Sequence, residues 1–257
     1  MEQINFDKKL WWGGLFILTS LLWFCSQSPR QVTFENPSLR AQAREAEQKA
    51  WSRGKEIWLD PELGTNGFSC ESCHPNGEVT FAETYPKYKH VLRTMATISI
   101  THNFAVVNEN RGEPWKLGSE DANALALFVT GFANGKPIRM ATAFRQGWLA
   151  KGEAAFRSTV LGTNGKSCLH CHRKGGREGG TVEDQKIPSL KGVAATYPKF
   201  NPQQKRVILL EQKINMCIED YLAGNALALN DTNLVALTGY VTSLSEGYKI
   251  AVGPEKH

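Results

Sequence analysis

The chain has no low-complexity tract, and its formal charge of +5 is modest and spread along 257 residues. That balance excludes nucleic acid as the expected partner and leaves room for an acidic redox protein or an anionic ligand. Cysteine is scarce, with six residues, and their placement implies no disulfide framework. Long apolar runs are scarcer still. The first, Leu10 to Cys25, carries no charge and follows Lys8 and Lys9. A basic segment before an apolar one is an export pattern. The run falls short of the roughly 20 residues that a membrane helix needs, and only with Ser26 to Ser28 does it reach the lower limit.

Small residues are sparse where a signal would be cut, and Pro29 follows Ser26-Gln27-Ser28. Cys25 suggests lipidation, although Phe24 is bulky for the position before it. Residues 1–28 are therefore expected to be a signal or anchor, retained in preference to cleaved or lipidated, with 29–36 as a polar linker.

Four of the six cysteines lie in two pentapeptides, Cys70-Glu-Ser-Cys73-His74 and Cys168-Leu-His170-Cys171-His172. In a C-x-x-C-H motif both thiols can add to the vinyl groups of haem, and the adjoining histidine then falls beneath the iron. A shared zinc site would space its pairs about 15–20 residues apart, whereas these lie 98 positions apart. Two covalently bound haem c groups (iron) are expected, held by Cys70, Cys73, Cys168 and Cys171, with His74 and His172 as proximal ligands. His170, inside the second motif, and His257, at the chain end, are expected to face solvent.

The rest of the chain repeats with the motifs. Gly54-Lys-Glu-Ile57-Trp58 is matched at an offset of 98 by Gly152-Glu-Ala-Ala155-Phe156, and Gly64-Thr-Asn-Gly67 by Gly162-Thr-Asn-Gly165. Further on, Tyr85-Pro86-Lys87 matches Tyr197-Pro198-Lys199 at an offset of 112, and the apolar pattern 121–129 matches 233–241. The second copy thus has extra residues near Gly175–Asp184. Such self-similarity marks a tandem duplication. Residues 37–58 have a helical pattern that Pro37 and Ser38 are suited to start, and Gly54 within it needs a packing reason.

The order of parts resembles the class I cytochrome c fold. That resemblance implies a mainly α protein with two cytochrome c-like domains, 37–138 and 139–257, joined through residues 134–144. It also implies that Gly54 and Gly152 let their helices approach those carrying Phe128 and Tyr240.

The ligand opposite each proximal histidine sets the redox potential and the access of substrate. In the second domain the candidates are the neighbours Met216 and Cys217; a thiolate would give a low-potential haem with a nucleophilic sulfur beside it. In the first domain Thr97–Asn103 has no cysteine, and His102 is the expected ligand, with Met95 and His90 as alternatives. The segment Lys213-Ile-Asn-Met216-Cys217, with Gly224-Asn-Ala-Leu227 and the helix 234–244, resembles SoxA and the dihaem thiosulfate dehydrogenases. The resemblance implies that Cys217 ligates the second haem and takes part in sulfur chemistry, with a monohaem cytochrome as a possible partner subunit. Lys213 departs from the family's arginine; lysine meets an oxyanion as a point charge, arginine as a planar fork.

The expected function is electron transport between redox partner proteins on the periplasmic side of the bacterial inner membrane. The alternative is a thiosulfate-oxidising enzyme or enzyme subunit working through Cys217. A dihaem peroxidase would need an open iron, and two distal-ligand segments argue against one.

Overall fold

The computed structural model describes residues 36–182 and 184–254. The expected signal or anchor at 1–28, Cys25 and His257 lie outside the described residues, as does the linker apart from Asn36. Among the described residues no helix is long and apolar enough to cross a membrane.

Helix α1 (Pro37–Leu59) starts at the expected proline. The Asn36 side chain accepts from the Ser38 amide, and Pro37 takes the first helical position, where a missing N–H costs nothing. Ile57 and Trp58 are buried on one face against Leu125, Phe128 and Val129 of α4 (Glu120–Gly131). The two helices cross at Gly54. A Cβ there would lie 2.2 Å from the Ala124 carbonyl oxygen and 2.7 Å from Phe128 Cβ, so glycine alone fits. The same crossing recurs between α5 (Arg145–Arg157) and α8 (Thr232–Ser243), where a Cβ on Gly152 would lie 2.1 Å from Ala236 O and 2.8 Å from Tyr240 Cβ. The close approach expected from the sequence is present in both copies.

Between each crossing pair the chain follows one itinerary. The first copy runs through the turn α2 (Cys70–Cys73), the hairpin β1 (Lys87–Lys89) and β2 (Thr94–Ala96), and α3 (Ile98–Asn108). The second runs through α6 (Cys168–Cys171), the antiparallel pair β3 (Gly180–Val182) and β4 (Gln185–Ile187), the hairpin β5 (Lys199–Asn201) and β6 (Arg206–Ile208), and α7 (Leu210–Leu222). From β1 onward each element begins 112 residues before its counterpart. The extra residues of the second copy fold as the β3–β4 pair, slightly beyond the stretch the alignment of repeats suggested.

The copies meet through equivalent positions. Ser99 Oγ donates to Glu211 Oε1 at 3.2 Å, and these residues correspond at the 112 offset. Asn123 Nδ2 donates to Val207 O (3.0 Å) and to Gln212 Oε1 (2.8 Å). A cavity of about 80 Å³ lies between them, lined by Tyr85, Pro86, Tyr197, Pro198, Glu83 and Glu211. The expected connector at 134–144 is bonded rather than free: Gly135 N donates to Ile250 O, Ile250 N to Lys136 O, and Ile138 N to Tyr248 O, each at 2.9 Å. The end of the second copy thereby closes over the end of the first.

Candidate haem sites

Each C-x-x-C turn is held by the serine before it. Ser72 N donates to Ser69 Oγ and Ser69 N to Ser72 Oγ, both at 3.2 Å, a reciprocal cap on a one-turn helix. In the second copy Ser167 N donates to His170 Nδ1 at 2.9 Å. His170 is exposed, as expected, but its ring also closes this cap.

The two proximal candidates are oriented alike. His74 Nδ1 lies 3.0 Å from Glu78 O, and His172 Nδ1 lies 3.3 Å from Pro188 O. A carbonyl can only accept, so Nδ1 carries the proton and Nε2 keeps the lone pair that a metal needs. An aromatic ring stands beside each, Trp58 at 6.2 Å from His74 and Phe156 at 6.4 Å from His172. Trp58 donates to Glu71, which also accepts from Asn76 N. Those two bonds, Asn76 first, hold the Glu71 carboxyl below the usual range.

The repeated Gly-Thr-Asn loop fixes the opposite wall. Thr65 N donates to Asn110 O at 3.0 Å and Thr65 Oγ1 to Arg111 O at 3.2 Å, while Asn66 donates to Glu109 O. In the second copy Thr163 N donates to Leu222 O at 3.1 Å and Asn164 Nδ2 to Tyr221 O at 3.0 Å. These bonds tie the end of α3 or α7 to the strand of chain that leads into the cysteines. Each helix is thus set across from its own C-x-x-C-H turn.

His102 lies on α3 with Nδ1 buried and without a hydrogen-bond partner. Burial first, then the charges of His74 and Lys89, push its imidazole down to about 3, which keeps it neutral and able to ligate. Of the alternatives, His90 is exposed with its ring 5.1 Å from Tyr88, and Met95 is buried in β2.

On α7, Cys217 is half-buried, and burial pushes its thiol up while Lys213 opposes the shift. Its charge in turn helps to raise Cys168, to about 12, behind burial as the main cause. Lys213 also lowers His172, again behind burial. Ile214, between Lys213 and Cys217 on α7, packs with Cys168 against Phe156, Leu237 and Tyr240, which sets this stretch of helix beside the second motif. Met216 points into an apolar cluster with Tyr197, Ile208, Leu210 and Val241. The two helices do not present their candidates in register. At the 112 offset His102 corresponds to Ile214 and Cys217 to Ala105, a shift of three residues, just under one turn, or about 4.5 Å along the axis.

Each copy thus offers two thiols, a histidine with a bare Nε2, and a side chain with a ligating atom on the facing helix. This donor set fits a covalently attached haem. Sequence reasoning missed the carbonyls of Glu78 and Pro188, which no side-chain pattern announces. It also passed over Ser69 and Ser167, although a serine directly before both motifs was a readable capping signal.

The SoxA/TsdA cytochrome c domain model matches residues 53–138 and 151–250. A thiosulfate dehydrogenase from Allochromatium vinosum is 36% identical over 87 residues, which are 34% of this chain and 32% of that protein. The SoxA subunit of the L-cysteine S-thiosulfotransferase from Pseudaminobacter salicylatoxidans is 33% identical over 90 residues, 35% of this chain and 28% of the relative. These alignments span about a third of the length of the relatives. The crystal structure of SoxXA from P. pantotrophus shares the fold, with a TM-score of 0.70 at 17% identity over 82% of this chain and 83% of that one. With both motif-bearing copies matched, the chain belongs to the SoxA/TsdA cytochrome c domain family.

Proposed function

We propose that this cytochrome carries two haem c groups and oxidises thiosulfate at the second of them, on the periplasmic side of the inner membrane. The first is attached at Cys70 and Cys73 with His74 and His102 as ligands. The second is attached at Cys168 and Cys171 with His172 and Cys217. Residues 37–138 and 139–257 are the two haem domains. The N-terminal segment serves as an export signal or anchor.

The observation that carries this reading is the position of α7, with Lys213 and Cys217, beside the second motif, where Ile214 and Cys168 share one apolar cluster. A thiosulfate dianion brought to that place meets a sulfur nucleophile beside a fixed positive charge. Joining the Cys217 thiolate to the outer sulfur of thiosulfate forms one S–S bond and releases two electrons, for which bound haem supplies one-electron acceptors. Lys213 orients the sulfonate end as a point charge. The names of the relatives, a thiosulfate dehydrogenase and a subunit of an L-cysteine S-thiosulfotransferase, support the same substrate. A monohaem cytochrome is the expected partner for the released electrons.

The second reading is a dihaem electron carrier, favoured by the presence of a candidate distal side chain at both sites. Thiosulfate decides between them. Reduction of the haems on adding thiosulfate, lost in Cys217→Ala, is the expected result. Failure of thiosulfate to reduce the protein, with monohaem partner cytochromes present, leaves the carrier.

A further inference from the structure

The two copies differ in what covers their hairpins. Gly54 is the eighteenth residue of α1, whereas its counterpart Gly152 is only the eighth of α5. The extra turns of α1 reach over the second copy's hairpin. Glu47, buried on α1, accepts from Phe200 N at 2.8 Å, and Phe200 itself is buried.

Among the described residues the first copy's hairpin has no counterpart of the Glu47 bond to Phe200. Tyr88, the counterpart of Phe200, is half-buried, with its ring 4.1 Å from that of Phe144, the residue before α5, and 5.1 Å from that of His90. Val91 at the hairpin tip is 67% exposed and Phe144 is 59% exposed. Around them stand Lys89, His90 and the exposed Arg93. Among the described residues neither Lys89 nor Arg93 takes part in an ion pair. Glu83 and Lys89 both act on the neighbouring Lys87, where burial is the main effect and brings its pKa to about 8. The covered hairpin, by contrast, turns through Pro202-Gln203-Gln204-Lys205, without an exposed large apolar side chain.

We infer that the open β1–β2 face is the docking surface for an acidic redox protein, which exchanges electrons with the first haem. A small apolar centre ringed by cations is the pattern of a transient interface: the apolar atoms supply contact, and the charges steer encounter and reject basic partners. The position also suits electron exchange, because β2 leads through Thr97 directly into α3, the helix that carries His102. The inference rests on the proposed first haem, and it names the class of partner that meets it.

The test uses the full haem-loaded chain and plastocyanin, an acidic copper protein. Its cadmium form, which is redox-inert, is titrated calorimetrically at about 20 mM and about 300 mM ionic strength, where screening lengths differ several-fold. Binding should weaken about tenfold at the higher salt and about tenfold in K89E/R93E at the lower. The control K186E/K205E makes the same change of net charge on exposed residues of the second copy and should bind within about twofold of the parent, as charges outside the contact do. Equal loss in both double variants, no binding, or a chain that self-associates through this face would each overturn the inference.

Circular dichroism and haem absorbance establish that the variants are folded. Copper plastocyanin mixed with the reduced protein then separates the two readings. Binding of the cadmium form without electron transfer to the copper form leaves the surface standing and removes the electron-exchange role. Electron transfer indifferent to K89E/R93E removes the surface.

Discussion

In the first copy the helix after the hairpin carries His102, the proposed ligand opposite the C-x-x-C-H turn; in the second it carries Cys217, three residues further along the corresponding helix. The scaffolds around them agree closely. The glycine crossing, the Gly-Thr-Asn tether, the serine cap and the histidine Nδ1 bond each occur in both. The parts proposed to hold each haem are duplicated, and what differs is the candidate ligand on the facing helix and the outer surface nearby. In the proposed function, then, two equivalent cradles differ in chemistry through one helix. His102, neutral and buried, suits a closed electron-transfer iron. Cys217, half-buried and accompanied by Lys213, suits a site that receives an anion.

Breaking the shared frame should affect both copies alike. Gly54→Ala and Gly152→Ala each place a methyl group about 2 Å from a carbonyl oxygen, and the helices must separate to admit it. Overpacking of this kind costs about 3 kcal/mol. Thermal or urea unfolding should show similar losses for the two variants. A large loss in one and none in the other would show that the copies are not held by the same crossing.

A smaller effect sharpens the contrast at the contact between copies. Position 99 is serine and its counterpart 211 is glutamate, buried with its pKa raised by desolvation, against which hydroxyl bonds from Thr97 and Ser99 act. A carboxyl whose folded pKa is raised keeps its proton after the unfolded chain has released it. Stability therefore falls as pH rises from about 4.3, the ordinary glutamate value, through the raised one, and stays reduced above it. Glu211→Gln should remove that fall. Its melting temperature should match the parent at low pH and exceed it at high pH. A variant that loses stability at all pH values would show that the ionised carboxylate is needed at this contact.

The motifs and both repeat offsets were legible in the sequence because covalent haem attachment needs fixed cysteines and histidine. The role of Gly54 was legible because a glycine inside a helical pattern demands a reason. Helix ends were readable to within a residue or two, since Asn36, Ser119 and Asp231 are ordinary capping types. The asymmetric cover of the hairpins was not. It depends on Glu47 meeting the backbone of Phe200, 153 positions away, and a charged residue in a polar helix gives no sign of burial. The bonding of 134–140 to 248–252 was hidden for a similar reason: backbone pairing between irregular segments leaves no side-chain pattern. The three-residue shift between His102 and Cys217 was in principle visible, because the matched helix starts fix the register.

The central claim is that the two irons differ in their distal ligands. Low-temperature electron paramagnetic resonance of the oxidised protein, with Cys217→Ala and His102→Ala alongside, tests it most directly. The account predicts two low-spin species: a narrow thiolate signal that vanishes only in Cys217→Ala, and a broader one altered only in His102→Ala. A single species, or a spectrum unchanged by Cys217→Ala, would contradict it and return the second site to Met216.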